Sequence, residues 1–337
     1  MTARTASQEP TTSGWQQWAA GLLRQQGALI ALIAIFLFGV WRYGENFTSE
    51  FNLWTLLRNN TYFGLIALGM TFVIMTGGID LSVGAVVALT AVAAARLSGE
   101  GLWVAVAGAI GLGLGVGLIN GALIARFRIQ PFIVTLATLL AARGGALNLS
   151  NNASVSIDFN SNFKDLWRTN VGEVPLPVVI TAFAFLLGSI ALNLTRFGRH
   201  VLAIGGNEEA ARLAGLPIAR TLVAVYALSG ALAGLSGALL AAQGNTGSPI
   251  AGIGWELTAI AAVVVGGTLL TGGRGSVWTT LVGVLLLGLI FNELNFERGK
   301  GTFELTQYWE EVIRGAFLLL VVILQSRLTR RATASTT

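Results

Sequence analysis

The chain has 337 residues, of which 54% are hydrophobic and 11% charged, with a mean hydropathy of +0.70 and a net charge of +5. Water-soluble domains run at about 45–50% apolar and about 25% charged. A chain this poor in charge cannot cover a core with a solvated skin, so a soluble monomer is excluded and a polytopic membrane protein is expected.

Three residue counts narrow the chemistry. Cysteine is absent, which excludes disulfides and thiolate catalysis. His200 is the single histidine, which excludes a multi-histidine metal centre. Lysine occurs at Lys164, followed by Asp165, and at Lys300, followed by Gly301. The phosphate-binding loop G-x-x-x-x-G-K-[ST] is therefore missing, and no cofactor or metal is expected. In so apolar a chain the positive charge reads as topology and not as a nucleic-acid surface.

Residues 1–25 are polar and form an expected cytoplasmic tail, with Trp15 and Trp18 as interfacial anchors. Residues 26–326 read as a transmembrane domain of ten helices, each about 20 residues as a bilayer requires. The expected spans are 26–43, 57–76, 80–97, 102–125, 131–149, 176–194, 220–242, 255–271, 276–294 and 308–326. With the N-terminus cytoplasmic, twelve arginines face inward against four acids, while the rest of the chain carries nine positive charges and twelve acids. That asymmetry satisfies the positive-inside rule and puts the basic 327–337 tail inside as well. Trp41, Tyr43, Trp54, Trp103, Trp255, Tyr308 and Trp309 fall at outer ends of spans, as an aromatic belt would.

Three stretches carry more than hydropathy. Thr76-Gly77-Gly78-Ile79-Asp80-Leu81-Ser82-Val83-Gly84 joins two apolar helices with almost no loop. Asp80 and Ser82 can cap the helix that follows, or Asp80 can line a pathway as intramembrane acids often do. The inward connection 195–219 contains Asn207 at an N-cap position, Glu208 and Glu209 in a first turn, Arg212 in a last turn, Gly215 at the C′ position and Pro217 beyond. This specifies a short rigid helix over 208–214, suited to docking a cytoplasmic partner. The third stretch runs from Trp255 to Ser276, with Gly266-Gly267 and Thr271-Gly272-Gly273; the latter echoes Thr76-Gly77-Gly78, and both turns are expected at the cytoplasmic face. Glu208-Glu209 and Glu310-Glu311 are adjacent pairs that do not face each other on a helix, so neither reads as an acid–base dyad. Arg314 lies three and four residues from the second pair and neutralises it.

These residues resemble the permease subunit of bacterial ABC importers for monosaccharides, in the ribose, xylose, arabinose and galactoside group. The similar stretches are Gly69–Gly84 (GMTFVIMTGGIDLSVG), Ile129–Leu136 (IQPFIVTL), Thr195–Gly215, Tyr226–Gly237 (YALSGALAGLSG) and Glu256–Gly275. Asn292, Asn295, Phe296 and Trp309 add a fainter resemblance to permeases of furanose-form pentose or hexose systems. The resemblance implies an all-α type II importer fold working as a homo- or heterodimer in the bacterial inner membrane. ATPase subunits would sit on the cytoplasmic face and a sugar-binding protein outside. It assigns Gly205, Gly206, Asn207, Glu208, Glu209, Arg212 and Gly215 to ATPase coupling, which fits the missing nucleotide motif.

Sugar-pathway candidates are the polar residues within or near spans: Asn59, Asn60, Thr61, Thr76, Asp80, Ser82, Asn120, Gln243, Asn292 and Asn295. Each is more often a helix–helix hydrogen bond than a substrate contact. The 150–175 loop offers Asn151, Asn152, Asp158, Asn160, Asn162, Lys164 and Asp165 to the binding protein, or is plainly solvated. Alternative readings are an ion-coupled secondary transporter, an ABC permease for branched-chain amino acids, and an intramembrane enzyme, for which no catalytic constellation is present.

Overall fold

Residues 14–300 are described continuously in the structure, a computed structural model, together with positions 309, 312, 315, 316 and 319. Residues 1–13, most of the tenth expected span, the Glu310/Glu311–Arg314 pairing and the 327–337 tail lie outside the described residues. The elements in chain order are α1 (Gly14–Tyr43), α2 (Glu45–Thr48), α3 (Glu50–Asn59), α4 (Thr61–Met75), α5 (Val83–Leu97), α6 (Leu102–Phe127), α7 (Pro131–Leu149), β1 (Val155–Ser156), α8 (Asp165–Arg168), β2 (Asn170–Val171), β3 (Val174–Pro175), α9 (Leu176–Leu194), α10 (Arg196–Gly206), α11 (Glu208–Leu213), α12 (Ile218–Gly244), β4 (Thr246–Gly247), α13 (Trp255–Val265) and α14 (Val277–Lys300).

Seven helices, among the described residues, are long and apolar enough to cross a membrane. Two expected spans are shorter than their apolar runs. The 57–76 run breaks at Asn60, whose side-chain amide turns back to the Leu56 carbonyl at 2.7 Å, and α4 covers the remaining fifteen residues. The 255–271 run yields an eleven-residue helix that stops at Val265. At about 1.5 Å per residue these reach about 22 and 16 Å, short of the roughly 30 Å hydrocarbon layer.

The core forms around α4, which is apolar on every side and almost wholly buried, as the all-round hydrophobicity of a central helix demands. Beside it α12 packs on α5 and α6 along small residues. A Cβ on Gly113 would stand 3.0 Å from the Gly234 Cα, and one on Gly121 would stand 2.6 Å from the Val223 Cα. Gly113 and Gly117 on α6 therefore face Gly230 and Gly234 on α12 in small-xxx-small register, and Gly121, one turn further on, meets the Val223 backbone, so the two helices meet without side chains between them.

At one end of the bundle β1 pairs antiparallel with β4, tying the 150–175 loop to the α12–α13 connection, and β2 pairs with β3. The opposite end carries α10 and α11. Two belt residues differ from expectation. Tyr43 is buried, donating to Glu297 Oε1 at 3.0 Å, and Trp255 stacks on Tyr62 at 5.1 Å between ring centroids. Trp41 and Trp103 are each 79% exposed, as lipid-facing belt residues should be.

Candidate functional site

Helices α4 and α13 stop inside the bundle by the same device. After α4, the Gly77 N–H donates to the Ile74 carbonyl (2.8 Å) and the Gly78 N–H to the Val73 carbonyl (3.1 Å). After α13, the Gly267 N–H donates to the Val264 carbonyl (2.9 Å) and the Thr268 N–H to the Val263 carbonyl (3.2 Å). Both are Schellman terminations, with Gly77 at φ +79° and Gly267 at φ +92°, a conformation that a Cβ makes costly. The structural counterpart of Thr76-Gly77-Gly78 is thus Gly266-Gly267-Thr268, five residues before the sequence echo.

The echoing segment, Thr271-Gly272-Gly273, does something else. The Gly273 N–H donates to the Met75 carbonyl at the end of α4 (2.9 Å). Gly205, near the end of α10, fills the space beside both. A Cβ there would strike the Met75 carbonyl oxygen and lie 2.9 Å from the Met75 carbonyl carbon. Cβ atoms on Gly272 and Gly273 would in turn stand 3.1 Å from the Gly205 Cα and 2.8 Å from the Gly206 Cα. Three backbone segments meet here with no side chain between them. They are the end of α4, the loop after α13, and the end of α10.

Asp80 lies beyond this junction. It is 2% exposed, and both carboxylate oxygens are engaged. Oδ1 accepts from the Ser82 N–H (3.0 Å) and the Ser82 hydroxyl (2.6 Å), and Oδ2 accepts from the Ser229 hydroxyl (2.9 Å). Asn120 donates to Ser82 Oγ (3.1 Å), and Thr138 donates to Asn120 Oδ1 (2.6 Å). Every donor in this chain points toward the carboxylate, and the chain ties the start of α5 to α6, α7 and α12. Charge-assisted hydrogen bonds are the strong ones, and a buried network is stable only when every member is paired.

Two expectations about Asp80 are corrected. Neither its side chain nor that of Ser82 caps an N–H of α5; the carboxylate accepts the N–H of Ser82, before the helix begins. Nor does it sit at the surface. Ser229 is eleven residues from the start of α12, about 16 Å at helical rise, near the middle of that helix.

The other pathway candidates divide. Gln243 donates to Asn59 Oδ1 (3.1 Å) at the β-strand end. Asn60, Thr61 and Thr76 bond the carbonyls of Leu56, Arg58 and Val73 in their own chain segments. Asn292 forms a reciprocal amide pair with Asn52 (2.9 and 3.3 Å), joining α14 to α3. Asn295 is exposed and stands apart from all of these. Sequence reading missed Ser229, Thr138 and Asn52, whose partners lie 18 to 240 positions away. It also missed Arg143, which grips the 249–251 backbone.

At the far end, the expected short helix is α11. Asn207 Oδ1 accepts the Ala210 N–H (2.9 Å). Arg212 bonds Glu208 at 2.6 Å and pairs with Glu209 at 3.6 Å. Gly215 ends the helix at φ +75°, its N–H donating to the Arg212 carbonyl (3.0 Å). Glu208 and Glu209 are exposed, and Leu213 beside them is 82% exposed. The connection also contains α10, capped by Thr195, ahead of the expected short helix.

A family described as "Branched-chain amino acid transport system / permease component" matches residues 52–322. Among curated proteins, the chain is 38% identical over 322 residues to the ribose import permease protein RbsC of Escherichia coli K12, covering 94% of this chain and 98% of that protein. RbsC of Bacillus subtilis is 38% identical, covering 91% of this chain and 94% of that protein. The L-arabinose transport system permease protein AraH of Escherichia coli K12 is 36% identical, covering 90% and 91%. No solved structure matches.

Proposed function

As the chain belongs to this family of transport-system permease components, a multi-pass inner-membrane protein, we propose that it is the permease subunit of an ATP-driven monosaccharide importer. The carrying observation is near-full-length identity of 36–38% to ribose and arabinose permeases. The matched family is described by branched-chain amino acids, but those full-length relatives favour a pentose or related sugar.

In this reading α11 lies on the cytoplasmic face and docks an ATPase subunit through Asn207, Glu208, Glu209, Arg212 and Leu213. Support comes from its capped, internally paired and exposed surface. Residues 26–326 form the permease domain, flanked by cytoplasmic tails. A second permease subunit completes the path, lipid surrounds it, and a sugar-binding protein meets the 150–175 loop. ATP-driven motion of α11 passes through α10 to the Gly205 junction and so to the ends of α4 and α13. Loaded binding protein and ATP must prefer different bundle states for this to work. The Asp80 network is read here as the brace that holds α5 against α6, α7 and α12 while the junction moves.

Proteoliposomes containing the permease, its ATPase and its binding protein should take up labelled pentose only when ATP is supplied. Uptake of leucine in place of sugar, or uptake driven by a proton or sodium gradient without ATP, would overturn the reading.

A further inference from the structure

The connection between α12 and α13 is not a surface loop. From Asn245 it descends along α5, with Gly247 packed on Ala91 and Val92 and Gly252 packed on the Gly84 carbonyl. Gly84 is thirteen residues from Leu97 at the end of α5, about 20 Å at helical rise. Residues 248–254 are therefore non-helical backbone at membrane depth. Lipid does not tolerate such backbone; it occurs only inside protein or along a water-filled cavity.

Within the single chain, the side chains on this segment project out of the bundle. Ile250 is 63% exposed and Ile253 is 65% exposed, and nothing lies within 4 Å of a Cβ on Gly254. A second observation points the same way. Arg143, inside α7, donates from Nη1 to the carbonyls of Pro249 and Ala251, both at 2.7 Å. Glu256 stands against Gly84, near enough to Arg143 for the two charges to interact, and both charged residues keep partial exposure. Ionisable groups within membrane segments face a bundle interior or water, not acyl chains.

We propose that residues 248–254, clasped by Arg143, form a wall of the sugar path, with Ile250 and Ile253 projecting into its water. This rests on the transport reading above. The apolar side chains suit the flat faces of a pyranose or furanose ring. The clasp fixes two carbonyls that would otherwise be free to bind the passing hydroxyls, which keeps the wall smooth.

The chain contains no cysteine, so an introduced cysteine is the single thiol on this subunit, and labelling is read on the separated subunit. Ile250→Cys and Ile253→Cys, with Leu37→Cys on α1 as the lipid-facing control, are placed in the complete importer in proteoliposomes. They are then treated with a membrane-impermeant charged methanethiosulfonate. Thiolate forms in water and is suppressed in apolar surroundings, so the two loop variants should label about tenfold faster than the control. Their rates should change when ATP and loaded binding protein are added. Labelling as slow as the control in every state overturns the proposal. So does a spontaneous disulfide between two copies without reagent access, which would make the loop a protein interface. Fast, state-dependent labelling in a complex that moves no sugar supports the path and refutes only the substrate reading.

Discussion

Replacing Gly205 by alanine adds one methyl group where three backbone segments meet. Its carbon would fall on the Met75 carbonyl oxygen, 2.5 Å from the Gly273 nitrogen and 2.9 Å from the Met75 carbonyl carbon. None of these atoms is the tip of a side chain, so relief requires α10 to move off the end of α4. Overpacking of this kind costs about 1–3 kcal/mol. Displacing the Gly273–Met75 hydrogen bond adds about 0.5–1.5 kcal/mol. The gain from alanine over glycine within a helix is only about 0.5–1 kcal/mol. Gly206, the next residue, has nothing within 4 Å of its Cβ and receives the gain alone. The two variants should therefore differ in stability by about 1.5–4.5 kcal/mol. Thermal unfolding in detergent measures this, and ATP hydrolysis with and without loaded binding protein measures coupling. Gly206→Ala should keep both properties; Gly205→Ala should melt lower and lose the response of hydrolysis to the binding protein. Equal melting and equal coupling in the pair would refute the junction as a transmission point.

Asp80→Asn turns an amide toward three donors, and should lower stability by about 2–3 kcal/mol, a loss larger than that of Ser229→Ala, read by thermal unfolding. Leu213→Asp should weaken co-purification of the ATPase at least as much as Arg212→Ala, while leaving the melting temperature of the isolated permease unchanged. Gly117→Leu should prevent stable packing of α6 on α12, because the Tyr226 carbonyl occupies the site of its Cβ, whereas Gly111→Leu, whose Cβ has nothing within 4 Å, should express normally. A double-mutant cycle on Asn52→Ala and Asn292→Ala should give a coupling energy of about 0.5–1.5 kcal/mol in thermal unfolding.

Hydropathy located nine helices among the described residues, because an apolar run of about 20 residues is a one-dimensional signal. It overestimated α4, because Asn60 breaks the start of an otherwise apolar run by turning its amide back to the Leu56 carbonyl, and α13, because Gly267 ends the helix through a left-handed dihedral while leaving the apolar run intact. The helix 208–214 was legible for the opposite reason: Asn207, Glu208, Arg212 and Gly215 are local signals within one nine-residue stretch. The Asp80 network was half legible. Asp80 and Ser82 are neighbours, but Ser229 and Thr138 become partners only when α12 and α7 pack, and hydroxyls in membrane helices look alike in sequence. The descent of 245–254 was invisible, since glycine, serine and proline after a helix normally announce a surface turn.

That descent also constrains how the protein is made. Neither the eleven-residue α13 nor the irregular backbone before it is a segment that lipid accepts alone. The stretch from Asn245 to Ser276 cannot leave the insertion machinery as an independent hydrophobic element. It needs the groove formed by α4, α5 and α12 already in place, and α14 behind it to close the far side. Synthesis order supplies the first three in advance. The membrane domain is thus completed by a late folding step within the bilayer, in which a preassembled bundle receives a segment that only its own interior can solvate.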